Sequence, residues 1–232
     1  MIEHRPLSTL GGGDLGWLKA RHHFAIGGHG NPIHKPLGNL IVWNDDEIAS
    51  GKGFPMHGHR DIEIITYVRL GIVTHQDNIG NEGQTKAGDV QVMSAGTGIM
   101  HSELNTENVP TKLFQIWLQP RTRGGVPRWG TKPFPKNDRA GCLEVLASGF
   151  EDDPNALFIR ADARVLGATL AAGQALTYTL DHGRNAYLVP AYGSVKVNGV
   201  DLATGDGAAV SQESVLRIEA TDDAEFVLVD AS

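Results

Sequence analysis

Residues 51–70 read Gly51-Lys52-Gly53-Phe54-Pro55-Met56-His57-Gly58-His59-Arg60-Asp61-Ile62-Glu63-Ile64-Ile65-Thr66-Tyr67-Val68-Arg69-Leu70. The second half, 62–70, is rich in β-branched residues and reads as a buried strand that stops at Gly71. The first half carries His57 and His59 one residue apart. In a strand, side chains i and i+2 point to the same face, about 7 Å apart at Cα. Two imidazoles on one face can bind one metal ion.

A second pair has the same spacing. His101-Ser102-Glu103 follows a Gly-rich stretch that runs from Gly88 through Gly96 and Gly98. If its strand lies antiparallel beside the first, facing side chains approach to about 5 Å. Three neutral imidazoles and one carboxylate then converge. Such nitrogen and oxygen donors suit Fe(II), Mn(II), Ni(II), Cu(II) or Zn(II), and the absence of thiolate argues against a cysteine-type structural zinc site.

Outward from these pairs the chain has one texture. Candidate strands are 37–48, 62–70, 90–93 and 111–119, then 165–170, 175–180, 186–192, 194–197, 208–210, 215–219 and 225–230. In 111–119, Leu113, Gln115, Trp117 and Gln119 share one face while Phe114, Ile116 and Leu118 share the other. With 29 Gly and 11 Pro among 232 residues, short strands between frequent turns imply an all-β sandwich or barrel. A short helix is expected within 140–155. Gly51, His57, His59, Glu63 and Gly71 keep the same spacing as Gly173, Thr179, Asp181, Asn185 and Gly193. Gly88-Asp89 through Ser94 matches Gly205-Asp206 through Ser211 in the same way. This repeat implies two similar β domains, of which the second lacks the histidines.

Between them, 119–139 holds four of the eleven prolines, six basic residues and one acidic residue, Asp138. It reads as an inter-domain connection, with an anion-binding or partner surface as the functional alternative. The expected organisation is residues 1–120, a linker at 121–140, and residues 141–232.

The formal net charge of -7 argues against direct nucleic-acid contact. No apolar run is long enough to span a bilayer, and the first ten residues lack a secretory apolar segment, so no membrane role and a cytoplasmic location are expected. Cys142 is the single cysteine; it permits no internal disulfide and is expected as a buried small residue.

The spacing Gly51-(five residues)-His57-X-His59-(three residues)-Glu63 resembles the first cupin motif, and Gly98-X-X-His101-X-X-X-Asn105 resembles the second. Ser94 stands where proline is usual, and two extra residues precede the histidine. More specifically, the chain resembles the pirin family and its bacterial quercetin 2,3-dioxygenase group. The matching words are Gly16-Trp17-Leu18, Asn44-Asp45-Asp46, Met56 through Glu63, Thr66-Tyr67-Val68, His75-Gln76-Asp77, Met93 through Glu103, and Gln115-Ile116-Trp117. The resemblance implies a bicupin: two jelly-roll barrels, an N-terminal one with the metal and a degenerate C-terminal one without.

It also implies that His57, His59, His101 and Glu103 hold one divalent ion, Fe(II) in first place and Mn, Ni, Cu, Co or Zn as alternatives. The implied reaction is opening of the flavonol heterocycle by O2 with loss of carbon monoxide. Glu103 is then both ligand and general base for the flavonol hydroxyl. The competing function is a metal-binding interaction protein with a protein partner and no physiological turnover; a third is a non-oxidative cupin enzyme such as an isomerase. Glu63 is read as a supporting residue, since two carboxylates and three imidazoles would crowd the ion. His75 and Asp77 are expected as a polar face at a barrel rim. His22, His23, His29, His34 and His182 are expected at the surface or hydrogen-bonded, with the loop 27–38 overhanging the site. A monomer is expected, because the second barrel can cover sheet edges of the first.

Overall fold

A computed structural model describes residues 1–232, the side chain of Asp138 excepted. The described residues form strands and two 3-10 turns, Leu7–Thr9 and Lys136–Arg139, with no α-helix. The chain is an all-β bicupin. In each barrel a seven-stranded sheet is joined with a four-stranded one.

The large sheet of the first barrel runs Arg128–Lys132, Val90–Ser94, Glu63–Leu70, Thr111–Leu118, Leu40–Ile48, Leu18–His22, Gly11–Asp14. Its small sheet runs Gly53–His59, Ile99–Leu104, Ile72–Asp77, Glu82–Lys86. The second barrel repeats the order. Its large sheet is Ile2–Arg5, Gly207–Val210, Asn185–Tyr192, Ala224–Ala231, Ala163–Leu170, Glu144–Ser148, Leu157–Phe158. Its small sheet is Ala175–Thr179, Val215–Ala220, Val195–Val197, Val200–Leu202. The glycines of the repeat are required at the turns. Gly71 has φ 76° and Gly193 has φ 69°. A Cβ at Gly193 would lie 2.1 Å from the Asp223 carbonyl oxygen, which no side chain tolerates.

Two segments sit elsewhere than their position in the chain suggests. Residues 128–132, within the expected linker, form an edge strand on Val90–Ser94 of the first barrel. The N-terminal strand Ile2–Arg5 pairs with Gly207–Val210 of the second barrel. Each crosses to the equivalent edge of its sheet and covers it. The helix expected within 140–155 is absent; Glu144–Ser148 is a strand there, antiparallel to Ala163–Leu170. Gly141 and Gly149 leave too few residues between them for a helix of ordinary length, and sheet pairing takes the segment. Cys142 is exposed rather than buried, in the turn after Gly141.

The two large sheets pack face to face. Trp43, Ile65, Tyr67, Phe114 and Ile116 of the first meet Val165, Tyr187, Val189, Val227 and Val229 of the second in one apolar core. The alternation read in 111–119 explains this. Phe114, Ile116 and Leu118 enter the core between barrels, whereas Leu113 and Trp117 pack in separate clusters of the first barrel. The second barrel is filled by its own apolar cluster, including Leu166, Leu188, Ile218, Phe226 and Leu228.

Most basic residues of 121–139 are engaged within the chain. Arg121 donates to the Gly149 carbonyl, Arg128 to Ser94 and the Phe158 carbonyl, and Lys132 to the Asn155 carbonyl. Lys136 donates to Glu225, and buried Arg139 donates to the Tyr67 hydroxyl at 2.6 Å. The segment thus ties the barrels together. No helix among the described residues is long and apolar enough to cross a membrane.

Candidate metal centre

Strands Gly53–His59 and Ile99–Leu104 pair antiparallel, with His57 directly opposite His101. His59 shares the face of His57, so three imidazoles converge. Ring centroids lie 4.8 Å apart for His57 and His59, 4.5 Å for His57 and His101, and 5.1 Å for His59 and His101. One donor nitrogen from each lies within 4.8 Å of the other two. The register slips between His101 and Glu103, which face His57 and Phe54. This bulge holds Pro55, whose missing N–H makes it poor ladder material, and turns the Pro55 carbonyl toward the His57 ring. Nδ1 of His57 contacts that carbonyl at 2.8 Å. Donation from Nδ1–H leaves Nε2 as a lone pair.

The other two imidazoles are kept neutral. Burial, then the neighbouring His57, lowers His59 to about 4. Burial, then His57, His59 and His75, lowers His101 to about 3. Near neutral pH both are therefore available as donors rather than cations. Nε2 of His101 is buried with no hydrogen-bond partner. A buried polar atom left unpaired is costly, and a cation among the three imidazoles would relieve that cost. The residues present fit a first-row divalent ion.

Glu103 lies two residues beyond His101 and is 1% exposed. Its carboxylate Oε1 accepts from Thr66 Oγ1 at 3.1 Å and Gln91 Nε2 at 2.6 Å. Oε2 accepts from Gln115 Nε2 at 2.6 Å. Two tryptophans aim these amides. Trp117 Nε1 donates to Gln115 Oε1 at 3.1 Å, and Trp129 Nε1 donates to Gln91 Oε1 at 3.3 Å. With each amide oxygen occupied, each NH2 faces Glu103. Burial pushes the Glu103 carboxyl up to about 7, while the Thr66, Gln115 and Gln91 bonds pull it down. Among the described residues the cluster of donors within 4.8 Å holds the three histidines and not Glu103.

Glu63 is engaged elsewhere. It is buried, accepting from Ser94 Oγ at 2.6 Å and from the Arg160 backbone N–H at 3.1 Å, so it ties the first barrel to the second. Ser94, standing where proline is usual, thereby gains a partner. His75 and Asp77 differ from expectation: both side chains are out of solvent, and His75 lies against His101. The strand Ile72–Asp77 lies between Ile99–Leu104 and Glu82–Lys86 in the small sheet. His23 is buried against the Tyr187 hydroxyl at 2.9 Å, and His34 is buried too. The loop 27–38 packs on the segments around Arg5, Thr9 and Phe24 rather than over the imidazoles.

Three contributors have little or no signal in the sequence. Trp129 lies in a Pro-rich stretch, Gln91 on a short strand, and Asp46 beside a second aspartate. The buried Asp46 carboxyl is pushed up to about 8 by burial, then by Asp45 and Glu103. For Gln115 and Trp117 the alternation within 111–119 is the usable clue.

Comparison with known proteins assigns both halves. Residues 4–118 match the family Pirin, and residues 145–231 match the Quercetinase C-terminal cupin domain. A Pirin-like protein of Caulobacter vibrioides is 59% identical over 232 residues, all of both chains. The chain belongs to the pirin family. A pirin of this kind is also similar to the Quercetin 2,3-dioxygenase of Escherichia coli K12, 36% identical over 99% of this chain and 98% of that one. Among solved structures, bacterial pirin YhhW of Escherichia coli in complex with nickel(II) matches with a TM-score of 0.92 and 34% identity, covering 100% of this chain and 99% of that one. Among the described residues, the paired strands Ala175–Thr179 and Val215–Ala220 of the second barrel, which stand where Gly53–His59 and Ile99–Leu104 stand in the first, carry no histidine.

Proposed function

We propose that this pirin is a metal-dependent dioxygenase that opens the heterocycle of a quercetin-type flavonol with O2 and releases carbon monoxide. The observation that carries the reading is the buried, unpartnered Nε2 of His101 among three convergent imidazoles, beside a carboxyl poised near neutrality. The name of the Escherichia coli relative and the nickel(II) in YhhW support it.

His57, His59, His101 and Glu103 would hold one divalent ion, Fe(II) in first place and Ni(II) as the alternative that YhhW supports. When bound, such an ion supplies Lewis acidity toward an enolate oxygen and a route for electron density to O2. Oε1 of Glu103 accepts two hydrogen bonds and Oε2 one, so one lone pair remains, on Oε2; there Glu103 takes the proton of the flavonol 3-hydroxyl in exchange for the ion, which the three imidazoles would continue to hold. Thr66, Gln91 and Gln115 hold the carboxylate in place and orient its free lone pair. Trp117, edge-on to His59 at 5.0 Å, offers an aromatic surface for a planar substrate.

The test is an aerobic assay of protein loaded with Fe(II) or Ni(II), following flavonol absorbance and released carbon monoxide. His57→Ala and Glu103→Gln run beside the wild type. Metal-dependent carbon monoxide release lost in both variants is the expected result. Full turnover by metal-loaded Glu103→Gln refutes the base role. Stoichiometric metal without turnover refutes the dioxygenase and favours a metal-dependent interaction protein.

A further inference from the structure

The strand Ile72–Asp77 alternates, with Val73 and His75 buried and Gln76 exposed. It pairs with Ile99–Leu104 so that Asp77 lies opposite His101 and His75 opposite Glu103. The His75 and Asp77 side chains have no solvent contact, and the reaction sketched above uses neither. His101 Nδ1 lies 3.5 Å from His75 Nδ1, and His75 Nε2 lies 3.0 Å from Asp77 Oδ2.

Donor and acceptor parity orders this chain of contacts. A neutral imidazole has one N–H and one lone pair. Asp77 only accepts, and the bonds it receives from His75, Asn81 and Ile79 hold its carboxyl below the usual range against burial. His75 must therefore donate from Nε2, which leaves its Nδ1 as an acceptor. The contact with His101 is then donated by His101 Nδ1–H. What remains on His101 is a bare Nε2, the atom that is buried without a partner. We propose that Asp77 and His75 are positioning residues that hold His101 as its Nδ1–H tautomer and so present Nε2 as a metal-ligand lone pair. The proposal rests on the three imidazoles being metal ligands, not on the substrate.

The relay is held rigid from both ends. Trp129 stacks on His75 with ring centroids 4.7 Å apart and planes 7° from parallel. Gly83 makes room for that ring, since a Cβ there would come within 2.5 Å of Trp129 Cη2. At the other end, Asp77 Oδ1 accepts the backbone N–H groups of Ile79 at 3.1 Å and Asn81 at 2.9 Å. Asn81 Nδ2 donates to Oδ2 at 2.9 Å.

Those two backbone donors make Asp77→Asn the incisive variant. They require the amide oxygen at the Oδ1 position, so the NH2 group faces His75 Nε2. Parity then inverts: His75 donates from Nδ1, His101 accepts at Nδ1, and its Nε2 carries the proton. The wrong-tautomer effect of an Asp-to-Asn change in a hydrolase triad is the analogous case.

The experiment measures Co(II) affinity by competition titration and reads histidine tautomers in the metal-free protein from long-range 1H–15N spectra. Wild type is expected with His101 Nε2 unprotonated. Asp77→Asn is expected with it protonated and Co(II) affinity reduced by about 10- to 100-fold. His75→Gln, whose amide oxygen can accept the same bond, should retain more affinity than His75→Leu. That pair decides the matter if Asp77→Asn does not fold. Equal Co(II) affinity in wild type and Asp77→Asn, or in the two His75 variants, overturns the relay alone. A wild type that takes up no Co(II) overturns the metal reading beneath it.

Discussion

Replacing Glu103 with glutamine separates its charge from its shape. The folded carboxyl titrates near 7, against 4.5 for an ordinary glutamate, because burial outweighs the Thr66, Gln115 and Gln91 bonds. That gap is worth about 3 kcal/mol. Between these values the folded chain keeps a proton that the unfolded chain has released. The stabilising contribution is full below pH about 4.5 and is lost as the pH rises through about 7. The amide of the Glu103→Gln variant does not titrate. In metal-free protein, the unfolding free energy of wild type minus that of Glu103→Gln should therefore fall by about 3 kcal/mol between about pH 4 and about pH 8. A pH-independent offset is superposed, because the new NH2 meets one of the NH2 groups already aimed at the carboxylate. That offset costs the variant about 1–3 kcal/mol. Urea unfolding with a chelator across this pH range measures the difference. Titration of Glu225, also raised to about 7 by burial but between the barrels, is common to both proteins and cancels; Asp46, whose carboxyl is raised partly by Glu103, is replaced by asparagine in both proteins so that its titration does not enter the difference. A bound cation favours the charged form, so saturation with Ni(II) should flatten the pH dependence. A difference already flat without metal refutes the near-neutral carboxyl. A slope that survives metal refutes Glu103 as a ligand.

Other expectations follow from the same contacts. If the three imidazoles hold the ion as proposed, His101→Ala should lower divalent-ion affinity by more than about 100-fold, read by competition titration, because losing a ligand costs more than losing its support. Gly83→Ala has no positive φ to contend with, so its cost is the clash with Trp129, about 1–3 kcal/mol by urea unfolding. Combined with Trp129→Ala the clash vanishes, and the double variant should be more stable than the sum of the single losses predicts. Deleting residues 1–5 strips the strand on Gly207–Val210 and the Arg5 bonds to the His23 and Lys35 carbonyls. Hydrogen exchange should then speed up first at 207–210 in the second barrel; unchanged protection there would refute the pairing of the N-terminal strand with that edge.

Much of this molecule follows from local pattern. Period-two alternation in 111–119 assigns Phe114 and Ile116 to one face and Leu113 and Trp117 to the other, and the folded sheet uses both as separate cores. The spacing of His57, His59 and His101 brings the imidazoles together as soon as two strands pair, because i and i+2 must share a face. The glycine repeat makes two barrels of like topology. What local pattern lacks is the identity of neighbours. Trp129 sits in a segment whose prolines erase periodicity, and only edge pairing with Val90–Ser94 carries it to His75 and Gln91. His75 and Asp77 have the spacing of any polar strand face. Their burial depends on the strand of His101 lying on one side and Glu82–Lys86 on the other. Protonation is a tertiary property for the same reason. The charge of Glu103 depends on donors from residues 66, 91 and 115, and the bare nitrogen of His101 depends on an aspartate two hydrogen bonds away.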